Sequence, residues 1–177
     1  AHSMADCSGP SMASKIRRFL FSLAWIPLTP HTSPRCLSAA LSTVGAKVPA
    51  RVVRMEGERR DYEAAAADYA EALPARIDVL LLGMGPDGHI ASLFPNTDPK
   101  ADDAQAVRRL IPDPLPPEAP FERLSLTIPA LLDSDALVFV IRGADKRAVF
   151  DAAVAGDSDL PVARLLKAAC QPVTCFA

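Results

Sequence analysis

Four stretches of the chain have the hydrophobic patterning that is typical of β-strands. Residues 77–82 (IDVLLL) and 136–141 (ALVFVI) are almost continuously apolar, as expected for strands buried on both faces in a parallel sheet. Residues 123–128 (RLSLTI) alternate between polar and apolar side chains, and a further short apolar segment lies at 173–176 (VTCF). The pattern therefore predicts four strands between residues 77 and 176.

Segments with helical character lie between and before these strands. Residues 61–73 (DYEAAAADYAEAL) are rich in alanine and carry acidic residues near their start, where the helix dipole favours negative charge. Further helices are predicted at 144–155 and 162–168, and a short one at 129–132, whereas the prolines of residues 112–120 (PDPLPPEAP) predict a loop. Alternating strands and helices indicate an α/β fold, with a mostly parallel sheet covered by helices on both faces.

The N-terminal part of the chain differs in charge from the rest, since residues 11–54 contain no acidic residue. Within this part, KIRR followed by FLFSLAWIPL allows three interpretations: a targeting signal, a buried strand, or an aberrant or truncated beginning. The apolar run of about ten residues is too short to cross a bilayer, which needs roughly 20. We expect residues 1–14 to be disordered or introduced by cloning, and residues 15–177 to form one domain.

Composition excludes several classes of function. The chain has 177 residues, half of them apolar, which suffices for one domain with a hydrophobic core. Its net charge of −2 gives no broad basic surface, so we expect a small polar or anionic ligand rather than nucleic acid or a membrane. Cys7, Cys36, Cys170 and Cys175 lack the spacing of a zinc site or a disulfide framework, which predicts free thiols in a reducing compartment and no bound metal.

The candidate chemistry is concentrated in GMGPDGH, which directly follows the predicted strand at 77–82. In an open α/β sheet, ligands bind at the carboxyl ends of the strands, so the location favours a site. Gly85 and Gly88 permit close approach of the backbone, and their N–H groups are candidate donors to a bound oxygen. The turn is not a phosphate-binding P-loop. Dinucleotide sites also carry an acidic residue at the end of a second strand, about 20 residues further on, and this residue is not found here, so no cofactor is expected.

His89 is the candidate general base of this turn. A helix beginning near Ile90 would place the positive end of its dipole beside the ring and favour the neutral imidazole, which is the state that a base requires. Asp87 has three possible roles: holding the ring, binding a substrate hydroxyl, or organising the turn through its own backbone bonds. Spacing alone leaves these roles open, and a purely structural histidine is also compatible with the pattern.

The stretch LLGMGPDGHIASLFP resembles the signature of the 6-phosphogluconolactonases, in the group that includes glucosamine-6-phosphate deaminases and ribose-5-phosphate isomerases. RLSLTIPALL, ALVFVIRGADK, LPVARLLK and PVTCFA resemble later segments of the same family, so the resemblance extends over residues 48–177. The deaminases typically continue from the shared DGHIA into a Phe-Asn-Glu-Pro run. Here SLFP follows instead, which favours the lactonase.

The resemblance implies a NagB/RpiA-like, three-layer Rossmann-like fold and an enzyme of the oxidative pentose phosphate pathway. The implied reaction is hydrolysis of 6-phospho-D-glucono-1,5-lactone to 6-phosphogluconate, with His89 as general base and Asp87 orienting either this base or a sugar hydroxyl. By the same resemblance Lys146 and Arg123 are candidate phosphate ligands, beside Gly85 and Gly88 at the substrate. A cytoplasmic monomer or weak homo-oligomer without metal or cofactor is expected. The alternatives are a glucosamine-6-phosphate deaminase-like enzyme and an inactive sugar-phosphate-binding remnant.

Two motifs of the family are not found before Arg54. These are a Ser-Gly-Gly-x-x-Pro phosphate loop and an Asp-Glu-Arg segment at the end of the following strand. We therefore expect an N-terminally truncated or altered domain that lacks some of the family's elements. Because binding energy from a remote phosphate helps to position the reacting carbonyl, the altered N-terminal part makes activity the first property to measure.

Overall fold

The structure is a computed structural model that describes residues 19–22, 53, 55–57, 59–97, 104–115, 117 and 120–177, the first segment in its backbone only. In chain order the described elements are β1 (Phe19–Ser22), α1 (Tyr62–Ala72), β2 (Val79–Leu82), β3 (Val107–Leu110), β4 (Arg123–Leu126), α2 (Ile128–Leu132), β5 (Leu137–Val140), α3 (Ala144–Ala155), α4 (Pro161–Ala168) and β6 (Val173–Phe176). The predictions for residues 1–14, and the interpretations of the N-terminal part as a targeting signal or an altered beginning, lie outside the described residues. Of the segment FLFSLAWIPL, the structure describes only residues 19–22, which form β1.

Four of the described strands form a parallel sheet in the order β1-β2-β5-β6. This sheet and its connecting helices confirm the predicted α/β fold. Strands β2, β4, β5 and β6 lie within the segments that the hydrophobic pattern predicted. Burial along β2 and β5 is uneven, because Leu80 and Phe139 are fully buried, whereas Val79 is half-buried and Val140 is exposed. The packed core of the two strands therefore lies mainly on one face.

Strands β3 and β4 pair antiparallel and form a separate two-stranded sheet. Strand β3 was not predicted, because its sequence VRRL places two arginines between the apolar ends. Val107 and Leu110 are buried, and Arg109 lies outward, where it forms two hydrogen bonds with the Glu122 carboxylate at 2.8 and 2.6 Å. The described residues of the proline-rich segment 112–120 form neither helix nor strand, as expected.

The helices predicted at residues 61–73, 129–132, 144–155 and 162–168 form within one residue of their expected ends. Asp61 caps α1, because its side chain accepts a hydrogen bond from the backbone N–H of Ala64 at 3.0 Å. Helix α3 ends at Gly156, whose φ of 85° is the left-handed conformation that glycine adopts at helix ends. Within the described residues no helix is long and apolar enough to cross a membrane.

The prediction of a helix beginning near Ile90 is wrong. Residues 84–97, all of which the structure describes, form turns and isolated bridges instead. The backbone N–H of Ser92 donates to the Ser125 hydroxyl at 3.1 Å, and that of Phe94 donates to the Thr97 hydroxyl at 2.9 Å, so neither joins a helical ladder. Consequently the dipole of a helix beginning near Ile90 cannot be invoked for His89, and the contacts of its ring must be taken from the turn itself.

Candidate active site

A cavity of about 610 Å³ opens beside the turn that follows β2. Its volume lies in the range of small-molecule sites. It is lined by Gly85, Pro86, Asp87, His89, Phe94, Pro95, Asn96, Pro112, Asp113, Pro114, Arg123, Asp145 and Lys146. Five of the six predicted site residues therefore line one cavity, although they come from three parts of the chain. The sixth, Gly88, belongs to the same turn but does not line the cavity.

His89 and Asp87 form a hydrogen-bonded pair at this cavity. The Nδ1 atom of His89 lies 2.6 Å from Oδ1 of Asp87, and the backbone N–H of His89 donates to the same oxygen at 3.3 Å. His89 is only 5% exposed. Its Nε2 atom is buried and has no hydrogen-bond partner in the part of the chain that the structure describes. A neutral ring that donates from Nδ1 to Asp87 would leave the Nε2 lone pair available.

The environment of Asp87 keeps its carboxyl group ionised at neutral pH. Burial acts to raise the pKa, but the hydrogen bond and charge of the His89 ring and the backbone N–H groups act more strongly in the other direction. The pKa of Asp87 is thus lowered below its ordinary value. An ionised Asp87 can only accept a hydrogen bond, so its contact with Nδ1 favours the His89 tautomer that carries its proton on Nδ1.

Gly85 is required by the space that the His89 ring occupies. A β-carbon at this position would lie 2.2 Å from Nδ1 of His89 and 2.5 Å from Oδ1 of Asp87. The Gly85 N–H donates to the His89 carbonyl at 3.0 Å, and the Gly88 N–H donates to the Gly85 carbonyl at 3.1 Å. Both N–H groups are used inside the turn, so the expectation that they donate to substrate is not supported by this geometry.

Gly88 connects the turn to helix α4. Its φ of 74° lies in the left-handed region, and a β-carbon would approach the Leu160 side chain to 2.8 Å. The Gly88 carbonyl accepts a hydrogen bond from the Val162 N–H at 3.1 Å, in the first turn of α4. Glycine at this position therefore allows the start of α4 to pack directly behind His89.

Two predicted cations lie at the cavity. Lys146, in the first turn of α3, donates from Nζ to the carbonyl of Met84 at 2.8 Å and so reaches the turn after β2. Arg123 begins β4, and its Cζ atom lies 5.1 Å from the centre of the Phe94 ring. Burial lowers the pKa of Arg123.

Sequence reasoning did not identify the aromatic and loop residues of the site. Phe94 stacks on His89, with ring centres 4.4 Å apart and planes inclined by 30°. Asn96 donates from its side chain to the carbonyl of Asp113 and thereby joins two loops at the cavity. The available signal for Phe94 was its place five residues after His89 in the glycine-turn motif. For Asn96 and Asp113 the sequence carries no comparable signal.

Comparisons with known proteins find relatives of this chain. Residues 28–174 match the family described as Glucosamine-6-phosphate isomerases/6-phosphogluconolactonase. The chain is 40% identical over 155 residues to a 6-phosphogluconolactonase from Mesorhizobium japonicum, covering 83% of this chain and 65% of that protein. It is 34% identical over 166 residues to a 6-phosphogluconolactonase from Pseudomonas putida, covering 90% and 68% respectively.

A solved structure shows the same similarity in three dimensions. The crystal structure of a 6-phosphogluconolactonase from Shewanella baltica superimposes with a TM-score of 0.69 and 25% sequence identity, over 89% of this chain and 70% of that one. The chain spans about two thirds of the length of the curated relatives that it matches.

Proposed function

The chain belongs to the glucosamine-6-phosphate isomerase/6-phosphogluconolactonase family, and on that premise we propose that it hydrolyses 6-phospho-D-glucono-1,5-lactone to 6-phosphogluconate. The observation that carries the proposal is the pair of His89 and Asp87, joined at 2.6 Å beside a cavity large enough for a sugar phosphate. Several relatives that the chain resembles are named 6-phosphogluconolactonase, which supports this choice within the family. As part of the same proposal, the enzyme acts in the cytoplasm.

In the proposed reaction His89 is the general base. With Nδ1 bonded to Asp87, Nε2 takes a proton from a water molecule as the water oxygen attacks the lactone carbonyl. The ionised Asp87 stabilises the imidazolium that results. When the bond between the carbonyl carbon and the ring oxygen breaks, Nε2 returns the proton to the ring oxygen. A buried Nε2 without a described partner is a position where water or substrate completes the hydrogen bonding.

Lys146 and Arg123 supply positive charge for the substrate phosphate in this proposal. An ammonium group has three donors, and the bond from Lys146 to the Met84 carbonyl uses one of them. The planar guanidinium of Arg123 is suited to bind phosphate oxygens in pairs. Both side chains line the same cavity as His89, so the phosphate and the lactone carbonyl of one molecule can be held together.

The test is hydrolysis of the lactone by the purified chain, with the lactone generated in place and its spontaneous rate subtracted. We expect acceleration by the unmodified chain and its loss in His89→Gln. Asp157→Asn, which changes an exposed carboxylate away from the cavity, is the control and should leave the rate unchanged. A folded chain that binds 6-phosphogluconate without accelerating hydrolysis would contradict the proposal, as would release of ammonia from glucosamine 6-phosphate at a higher rate.

A further inference from the structure

Phe94 occupies an unusual position for a large apolar side chain. It is only half-buried and lines the cavity, so it is not a member of the buried core. Its ring stacks on the imidazole of His89 with ring centres 4.4 Å apart and planes inclined by 30°. A side chain that only filled space would not need to present its aromatic face to the candidate base.

The backbone around Phe94 is held by several hydrogen bonds. The Thr97 hydroxyl accepts from the Phe94 N–H and donates to the Phe94 carbonyl, both at 2.9 Å, and the Thr97 N–H donates to the same carbonyl at 3.1 Å. Two residues earlier, the Ser92 N–H is bonded to the Ser125 hydroxyl on β4. Thr97 and Ser125 are both buried. These bonds fix the position from which the Phe94 ring reaches His89.

The stacking of Phe94 on His89 restricts tilting of the imidazole plane, which the hydrogen bond to Asp87 alone restricts less. That bond fixes Nδ1 of His89, but rotation about the Cβ–Cγ bond of a histidine is broad, and a single contact allows the ring plane to tilt. Phe94 lies against the plane of the ring, and Gly85 lies against its Nδ1 edge. Together the three contacts determine where Nε2 is directed.

We propose that Phe94 is a positioning residue that holds the His89 imidazole in the orientation needed for proton transfer. The expected effect of Phe94 on catalysis rests on the proposed function, whereas its expected effect on the orientation of the His89 ring does not. Because Phe94 also contacts Arg123, whose Cζ lies 5.1 Å from the ring centre, it links the base to a cation of the same cavity. The aromatic face is the property that matters, so an apolar chain of similar volume should not replace it.

The variants that test this are Phe94→Met, Phe94→Leu and Phe94→Tyr. Methionine and leucine keep an apolar side chain but remove the ring, whereas tyrosine keeps the ring. We expect kcat to fall about ten- to a hundredfold in Phe94→Met and Phe94→Leu, with a much smaller change in KM, and to remain within about threefold in Phe94→Tyr. Phe121→Leu is the matched control, because Phe121 is 62% exposed and outside the cavity.

A second measurement does not depend on turnover. Nitrogen-15 NMR of the histidine rings reports the tautomer, and the His89 signals are assigned by their absence in His89→Gln. At neutral pH we expect the unmodified chain and Phe94→Tyr to show one tautomer protonated at Nδ1, and Phe94→Met to show exchange between tautomers. Phe94→Leu serves in its place if Phe94→Met does not give the folded circular dichroism spectrum.

The outcomes separate the two proposals. If the unmodified chain does not accelerate hydrolysis, the proposed function fails, and the NMR comparison alone decides the role of Phe94. If Phe94→Met and Phe94→Leu match the unmodified chain in kcat and in the His89 spectrum, Phe94 is a space-filling residue and the inference is overturned. Equal losses of kcat in Phe94→Tyr and Phe94→Met would overturn it as well.

Discussion

The backbone of Gly85 lies directly against the imidazole of His89, so closely that a β-carbon at residue 85 would be 2.2 Å from Nδ1. The same β-carbon would lie 2.5 Å from the Asp87 carboxylate, so it would clash with both partners of the hydrogen bond between Asp87 and His89. The candidate catalytic pair therefore depends on a residue that carries no functional group. Glycine at this position provides space for the base.

We expect Gly85→Ala to lose at least a hundredfold in kcat, because the His89 ring must leave its position by about an ångström. Gly57→Ala is the control, since a β-carbon at Gly57 meets no atom of the described residues within 4 Å. The measurement is lactone hydrolysis by both variants together with their thermal unfolding. A Gly85→Ala protein that keeps full activity would show that the ring orientation seen here is not the reactive one.

Asp87→Asn should lower kcat about a hundredfold or more, with circular dichroism unchanged. An amide can donate to Nδ1, which favours the wrong tautomer of His89 and removes the lone pair from Nε2. The pH dependence of kcat in the variant and the unmodified chain provides the measurement, and Asp157→Asn is the matched surface control. Equal rates in Asp87→Asn and the unmodified chain would exclude an orienting role for this carboxylate.

The lowered pKa of Asp87 also predicts how stability depends on pH. Because the pKa is lower in the folded chain than in the unfolded one, the contribution of Asp87 is present above the unfolded value, near 3.9, and is lost as the pH falls through the folded value. The effect is small, since the side chain is 45% exposed. Chemical unfolding at pH 7 and at pH 3 should show that Asp87→Asn loses less stability on acidification than the unmodified chain does.

Lys146→Gln should mainly raise KM for the phosphorylated lactone. The ammonium group is held at the cavity by its bond to the Met84 carbonyl, so its removal should take away the proposed phosphate ligand without moving His89. Hydrolysis of the unphosphorylated 1,5-gluconolactone should change little, and Lys167→Gln, on the exposed side of α4, should affect neither substrate. A fall in kcat for both lactones would instead assign Lys146 to the reacting centre.

The fold was predictable from sequence wherever the apolar character of the chain is clear from neighbouring residues alone, whether or not each of those residues is buried. Residues 136–141 and 173–176 were recognised as strands because their apolar residues occur in runs, and α3 was placed at its observed ends. Strand β3 was missed because Arg108 and Arg109 make its sequence polar, while its pairing with β4 and its contact with α1 come from distant segments. Whether such a polar segment forms a strand depends on the distant segments with which it pairs and packs.

The site was predictable to the extent that its residues share one local motif. Asp87 and His89 lie in one turn, so their proximity follows from sequence, whereas the position of Phe94 depends on hydroxyl groups of Thr97 and Ser125 that replace helical hydrogen bonds. The same hydroxyls explain why no helix begins at Ile90. Hydroxyl groups that accept backbone N–H bonds in place of helical carbonyls leave no periodic pattern in the sequence by which they could be recognised.

Gly88→Ala tests the packing of α4 behind the turn. Alanine at residue 88 is strained by the left-handed φ of 74°, and its β-carbon would also lie 2.8 Å from the Leu160 side chain. Gly156→Ala is the matched control, because Gly156 has a φ of 85° but, in the part of the chain that the structure describes, no atom lies within 4 Å of its β-carbon position. Backbone strain alone should cost about 1–2 kcal/mol in both variants.

The contact with Leu160 should add a further loss in Gly88→Ala, together with a fall in kcat as the turn that holds His89 shifts. Chemical unfolding of both variants measures the first effect, and lactone hydrolysis measures the second. Equal free energies of unfolding in Gly88→Ala and Gly156→Ala would mean that Leu160 moves aside without cost. In that case the start of α4 does not constrain the catalytic turn.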